Sequence, residues 1–236
     1  MRIGILLLLC TLSLSISAQR TTLWEALALK KVDVQIVDLG AGPESKNIEF
    51  QIQNLSDESL ELLIESGYVL DCDSSDRQDH VVSQGALVAV APKAKVNKAV
   101  RGMCIQANNG SPRKGDTYTL TQQANGALEK VVKLIEKNHF QDATGQSAVW
   151  CVTNGNSIAG VYDENDDKKT KALMEFLAEI LDQEMPWYNL KYQEHEDPNQ
   201  NRVFNNAVSR VDARFKYELP FEAEVTFGIY YPDGRA

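Results

Sequence analysis

Histidine is scarce in this chain. The three present, His80, His139 and His195, fall at no zinc-ligand spacing and stand beside no recognisable nucleophile motif. Gly-x-Ser-x-Gly and phosphate-cradling glycine loops are both missing, so no linear motif marks a hydrolase or a nucleotide-binding enzyme. Basic charge is also short. The 24 Lys and Arg face 33 Asp and Glu for a net charge of −9, and the densest basic run, Lys168, Lys169 and Lys171, adjoins the acidic stretch 163–167. Binding a phosphate backbone needs clustered Lys and Arg, which excludes nucleic acid as a partner. After the first few residues no apolar run approaches the ~20 needed to span a bilayer, so no membrane span is expected. At 43% hydrophobic and 24% charged residues, the composition matches a globular protein rather than a disordered tail, a collagen-like rod or a disulfide-dense miniprotein.

The opening residues carry one charge at Arg2, then an apolar run over 3–9, then a small-residue exit at Ser15, Ser17 and Ala18. That is the three-part pattern of a secretory signal, and residues 1–18 are read as one. The expected protein is therefore exported: extracellular, cell-surface or periplasmic. Cys10 follows Leu6 to Leu9 without the small residue that lipid anchoring requires.

Periodicity divides the remainder. Thr22-Leu-Trp-Glu25 has capping-box spacing and opens a short helix. Alternating apolar residues over 32–37 and 48–52, and similar runs over 60–64, 68–70, 86–91 and 96–105, predict an antiparallel β-sandwich, with the first domain spanning 19–112. Leu128, Val131, Val132 and Ile135 recur at helical spacing. Two further helices are expected at 143–153, stopped by Asn154-Gly155, and at 168–183, stopped before Pro186. A helical domain is accordingly assigned to 113–188. A polar linker over 193–202 and an alternating segment over 214–235 fill the last unit, 189–236. The fold class is thus α+β: N-terminal antiparallel β-sandwich, helical segment and C-terminal β-hairpin. Phe215-Lys-Tyr-Glu-Leu-Pro220, followed by Val225-Thr-Phe-Gly-Ile-Tyr-Tyr-Pro-Asp-Gly-Arg235, resembles the first strands of FlgD-like immunoglobulin repeats and the C-terminal domains of type IX secretion cargo. The resemblance implies an incomplete immunoglobulin-like domain there.

Three cysteines follow the leader: Cys72, Cys104 and Cys151. In an oxidising compartment an odd number leaves one sulfur over whichever bridge forms, and any two of the three are disulfide candidates. Met103-Cys104 at a strand end, then helix-forming sequence, then Gln146-Ser-Ala-Val-Trp150, resembles the bacterial thioester domains of surface adhesins. The resemblance implies that Cys104 supplies the thiol and Gln146 the acyl group of an internal thioester. Trp150, one helical turn beyond Gln146, would shield the bond from water. The same residues also fit an ordinary helix core, with Gln146 capping or facing solvent and Cys104 bridged to Cys72 or Cys151.

Asp71, Asp73, Asp76 and Asp79 offer hard oxygen ligands in one loop, a weak calcium candidate that fails the EF-hand pattern at Asp76 and Val82. No other cofactor is implied. The expected function is a secreted or surface binding module, or adhesin, for a protein or glycan ligand. The alternative is a secreted hydrolase or protease-like enzyme, for instance one pairing Cys151 with His139.

Overall fold

The computed structural model describes residues 19–193, 204–213, 218–226 and 228. The expected signal (1–18), nearly all of the expected linker, and residues 214–217, 227 and 229–236 of the expected immunoglobulin-like hairpin lie outside the described residues. Of that hairpin, 218–226 are described and carry no strand.

In chain order the first elements are β1 (Gln19–Thr22), α1 (Leu23–Ala28), β2 (Val32–Asp38), β3 (Ile48–Asn54) and β4 (Leu60–Ile64). Next come β5 (Tyr68–Cys72), β6 (His80–Gln84), β7 (Ala86–Val90), β8 (Lys95–Cys104) and β9 (Thr117–Gln123). Helices α2 (Gly126–Asn138), α3 (Ala143–Asn154) and α4 (Asp167–Leu181) follow, then β10 (Tyr188–Tyr192) and β11 (Val208–Ala213), which form a hairpin. The fold is mixed α+β with strands predominating.

The strands do not form a sandwich. Six of them close an antiparallel barrel in the order β2-β3-β8-β6-β5-β9, and β1, β4 and β7 make a separate three-stranded sheet. The cause is β9, a polar strand that pairs with β2 at Ile36↔Tyr118 and with β5 over Tyr68↔Gln123 to Cys72↔Tyr118. By joining two would-be edges it converts an open sheet into a closed one.

Alternation then sorts the barrel side chains into two cores. Val82, Val100, Ile36, Phe50 and Tyr118 belong to the barrel interior, which is continuous with Leu60, Leu62 and Val90 of the small sheet. Their neighbours Val81 and Met103 point outward and are buried against Val131, Val132, Ile135, Val149, Leu173 and Leu177 of the three helices. Each such fully buried aliphatic side chain contributes about 1.5–3 kcal/mol, which fixes the helices against β6 and β8.

Local signals determine the helix ends. Thr22 and Glu25 form the capping box of α1. Asp142 caps α3 by accepting from the Gly145 N–H at 2.9 Å, and Gly155 ends that helix in the left-handed conformation (φ 69°).

Candidate functional site

Strand β8 outruns its neighbour. Strand β3 pairs with it only as far as Ile48↔Val100, so the last four residues of β8 have β6 on one side and an uncovered edge on the other. Two side-chain carboxamides occupy that edge. Asn47 Oδ1 accepts from the Gly102 N–H at 2.7 Å, and its Nδ2 donates to the Gly102 carbonyl at 3.1 Å. Two residues on, Gln146 Oε1 accepts from the Cys104 N–H at 2.9 Å and its Nε2 donates to the Cys104 carbonyl at 2.7 Å. Each carboxamide satisfies one residue's donor and acceptor as a missing strand would, where an unpaired buried pair would be costly.

Helix α3 can deliver Gln146 to this edge because Gly145 precedes it. A Cβ there would run into the Phe140 carbonyl oxygen and crowd the Met103 methyl at 3.2 Å. Gln146 is 6% exposed. Trp150, one turn along α3, is buried and tilted against Phe204 at a ring-centroid distance of 5.5 Å.

On its other side Cys104 faces His80, its register partner on β6. The ladder bond from Ile105 N–H to the Asp79 carbonyl (2.9 Å) flanks the pair, so the His80/Cys104 position is a non-hydrogen-bonded one, where opposing side chains approach most closely. Cys104 Sγ lies 3.7 Å from His80 Nε2. Gly102 permits this, since a Cβ there would sit 3.2 Å from His80 Cδ2 and 2.8 Å from Ile48 Cγ1. The imidazole is 1% exposed, and its Nδ1 has no hydrogen-bond partner among the described residues. Tyr118 packs edge-on against the ring at 5.2 Å and donates its hydroxyl to Asp38 Oδ2 at 3.0 Å, while Asp38 Oδ1 accepts from the Gly40 N–H at 2.6 Å.

Burial sets the protonation of the group. It holds His80 neutral by pulling its pKa down to about 3, and it pushes the Cys104 thiol up to about 12, with the Asp38 carboxylate acting in the same direction. Burial also raises Asp38 and, with Asp38 beside it, Tyr118. The resting pair is therefore thiol and neutral imidazole.

The other candidate residues are separate. Cys72, Cys104 and Cys151 are all free, so the expected disulfide is not formed. Strand β6 lies between Cys72 on β5 and Cys104 on β8. Two strand spacings are about 9–10 Å, beyond the ~7 Å reach of a bridge. Cys151 sits on α3 and points its thiol at the Ser157 carbonyl, 3.5 Å away, while His139 caps the end of α2. The Cys151–His139 pairing is thus not formed either.

The loop carboxylates diverge. Asp71 accepts from Thr121, Asp73 from Thr117 and Thr119, Asp79 from the Cys72 N–H and Gln106, and Asp76 pairs with Arg77. Among the described residues no three metal-capable side chains converge. Calcium gains no support from this arrangement.

The sequence reading paired Cys104 with Gln146 and missed His80, because His80-Val-Val-Ser-Gln84 has no alternation to mark a strand. The usable signal was a buried-type run, Val81-Val82, two strands before the Cys104 strand in chain order. No helix among the described residues is long and apolar enough to cross a membrane. No protein-family model matches the chain, and neither a curated protein nor a solved structure matches it.

Proposed function

We propose that the chain is an exported surface-binding module that attaches covalently to a protein or glycan ligand through a thioester between Cys104 Sγ and Gln146 Cδ. The observation that carries this reading is the two-point hydrogen bond between the Gln146 carboxamide and the Cys104 main chain. It holds the Gln146 carboxamide against the main chain of the residue that carries the thiol, across 42 positions of sequence. In the reaction, Cys104 sulfur adds to Cδ, the S–C bond forms, the C–N bond breaks and ammonia leaves. A ligand amine later attacks the same carbon, forming an amide and returning the thiol. Negative charge builds on Oε1 in both steps, and the Cys104 N–H that already donates to it is a preorganised stabiliser. Trp150, buried over the same helix face, limits water access. The FlgD-like resemblance of the C-terminal segment fits a surface-held protein.

A second reading, a secreted hydrolase using Cys104 with His80, is favoured by their contact. Burial of both groups opposes it. A cleft of about 1050 Å³ lined by Trp24, Tyr68, Leu87, Gln123 and Glu136, and one of about 550 Å³ lined by Tyr162, Met174, Trp187 and Arg210, include neither residue.

Intact-mass analysis with and without methylamine, together with a thiol count in denaturant, tests the proposal. Loss of one ammonia, restored as methylamine adduct and abolished by Cys104→Ala, is expected, with two of the three thiols of the chain lacking residues 1–18 titrating before amine. An unmodified mass with three titratable thiols refutes it.

A further inference from the structure

We infer that His80 is the proton carrier of the Cys104–Gln146 reaction: it takes the thiol proton as sulfur attacks and delivers it to the leaving nitrogen. The inference rests on the thioester reading and adds a catalytic residue to it.

Three observations converge. His80 Nε2 lies 3.7 Å from the reacting sulfur. The ring is 1% exposed and Nδ1 has no partner among the described residues, so no hydrogen bond fixes its tautomer and the buried ring is left incompletely satisfied. Such a group in a native core calls for an explanation. The fold also makes room for this contact: Gly102 vacates the space under the ring, and the non-hydrogen-bonded register places the two side chains at closest approach.

The need for a carrier follows from the surroundings. A thiolate is the competent nucleophile, yet burial and the Asp38 carboxylate disfavour free thiolate at this position. Proton removal must therefore accompany attack. Gln146 cannot serve as the base, because its Nε2 donates to the Cys104 carbonyl and its Oε1 accepts from the N–H.

The balance closes without another reactant. Nε2 accepts the S–H proton as the sulfur lone pair bonds to Cδ and the carbonyl electrons move to Oε1. When the carbonyl re-forms, the C–N bond breaks and the proton on Nε2 passes to the departing NH₂ group, which leaves as ammonia with His80 neutral again. In opening by a ligand amine the path reverses. The amine nitrogen bonds to Cδ, the S–C bond breaks, and His80 relays the surplus amine proton to sulfur, sparing the site a buried thiolate. This limits the useful ligand to an amine in its neutral form at the moment of attack, such as a deprotonated lysine side chain.

The test uses the full chain refolded from denaturant, following ammonia loss by mass and then thiol release by methylamine. His80→Gln keeps a hydrogen-bond acceptor beside the sulfur but cannot carry a proton, so it rescues a merely structural role and not a proton relay. In a His80→Gln chain whose near-ultraviolet circular dichroism matches wild type, both steps are expected to slow by about 100-fold or more, the range for loss of a general acid–base. Equal rates in wild type and His80→Gln overturn the role of His80 and leave the thioester standing. A wild-type chain that loses no ammonia overturns the thioester and the inference with it. Should His80→Gln not fold, wild-type opening by methylamine in heavy water decides: slowing supports proton transfer in the rate-limiting step, and an unchanged rate overturns it.

Discussion

Acidification should destabilise this fold through His80, by an amount the structure sets. The imidazole is 1% exposed inside the barrel, and its pKa falls from 6.5 to about 3 because burial opposes the charged form. A group whose folded pKa lies below its unfolded value binds more protons in the unfolded chain between those limits, so stability falls as pH drops through that window. Integrating between 6.5 and 3 gives a loss of about 2 kcal/mol by pH 5 and about 3 kcal/mol by pH 4 from this residue. Asp38 and Asp79 work in the opposite sense: their folded pKa values are raised, chiefly by burial, so the folded chain binds more of their protons and gains stability as pH falls. The groups facing His80 are the Cys104 thiol from β8, the Tyr118 ring from β9 and, behind Tyr118, the Asp38 carboxylate from β2. The two thiol and phenol groups stay protonated across this range, since their pKa values are pushed upward. The clean measurement is therefore a difference: urea unfolding of wild type and His80→Gln at pH 7, 5 and 4. Wild type should lose about 2 kcal/mol more than the variant between pH 7 and 5. Equal acid losses in the two chains would show that His80 titrates normally, and the description of it as a buried neutral ring would fail.

Gln146→Ala removes both partners of the Cys104 main chain and should cost about 2–6 kcal/mol, from two orphaned backbone groups at about 1–3 kcal/mol each, measured by urea unfolding. Gln146→Glu, which mimics the hydrolysed thioester, keeps an acceptor for the Cys104 N–H but turns a second oxygen toward the Cys104 carbonyl. It should be less stable than wild type at pH 7 and recover on acidification, when the carboxyl can donate. Gly145→Ala forces a Cβ into the Phe140 carbonyl and should shift the start of α3, costing about 1–3 kcal/mol in the same assay and abolishing ammonia loss. A variant with wild-type mass and stability would contradict the packing described at this turn.

The helices and their ends were legible because each is written locally. Thr22 with Glu25 at the start of α1 and Gly155 at the end of α3 each act within one turn. The barrel was not, because closure depends on Thr117–Gln123, a strand of threonine, glutamine and only two larger apolar side chains that no hydrophobic period announces. Its pairing with β2 and β5 is a long-range decision, made by the edges those strands would otherwise expose. The site divides along the same line. Cys104 and Gln146 could be connected because a strand end and a helix start each carry a recognisable residue pattern. Their contact, however, is made by main chain rather than by facing side chains, and it exists because β3 stops at Ile48, short of the β8 terminus. Asn47 meets Gly102 by the same device, so an amide at this edge is first a structural need. What distinguishes position 104 is the sulfur on one side of the amide-bound backbone and the imidazole register partner beyond it. The pairing of His80 with Cys104 therefore depends on a coincidence of register that only the folded barrel displays, which is why His80, at the end of a polar stretch of sequence, was legible only through the Val81-Val82 run that follows it.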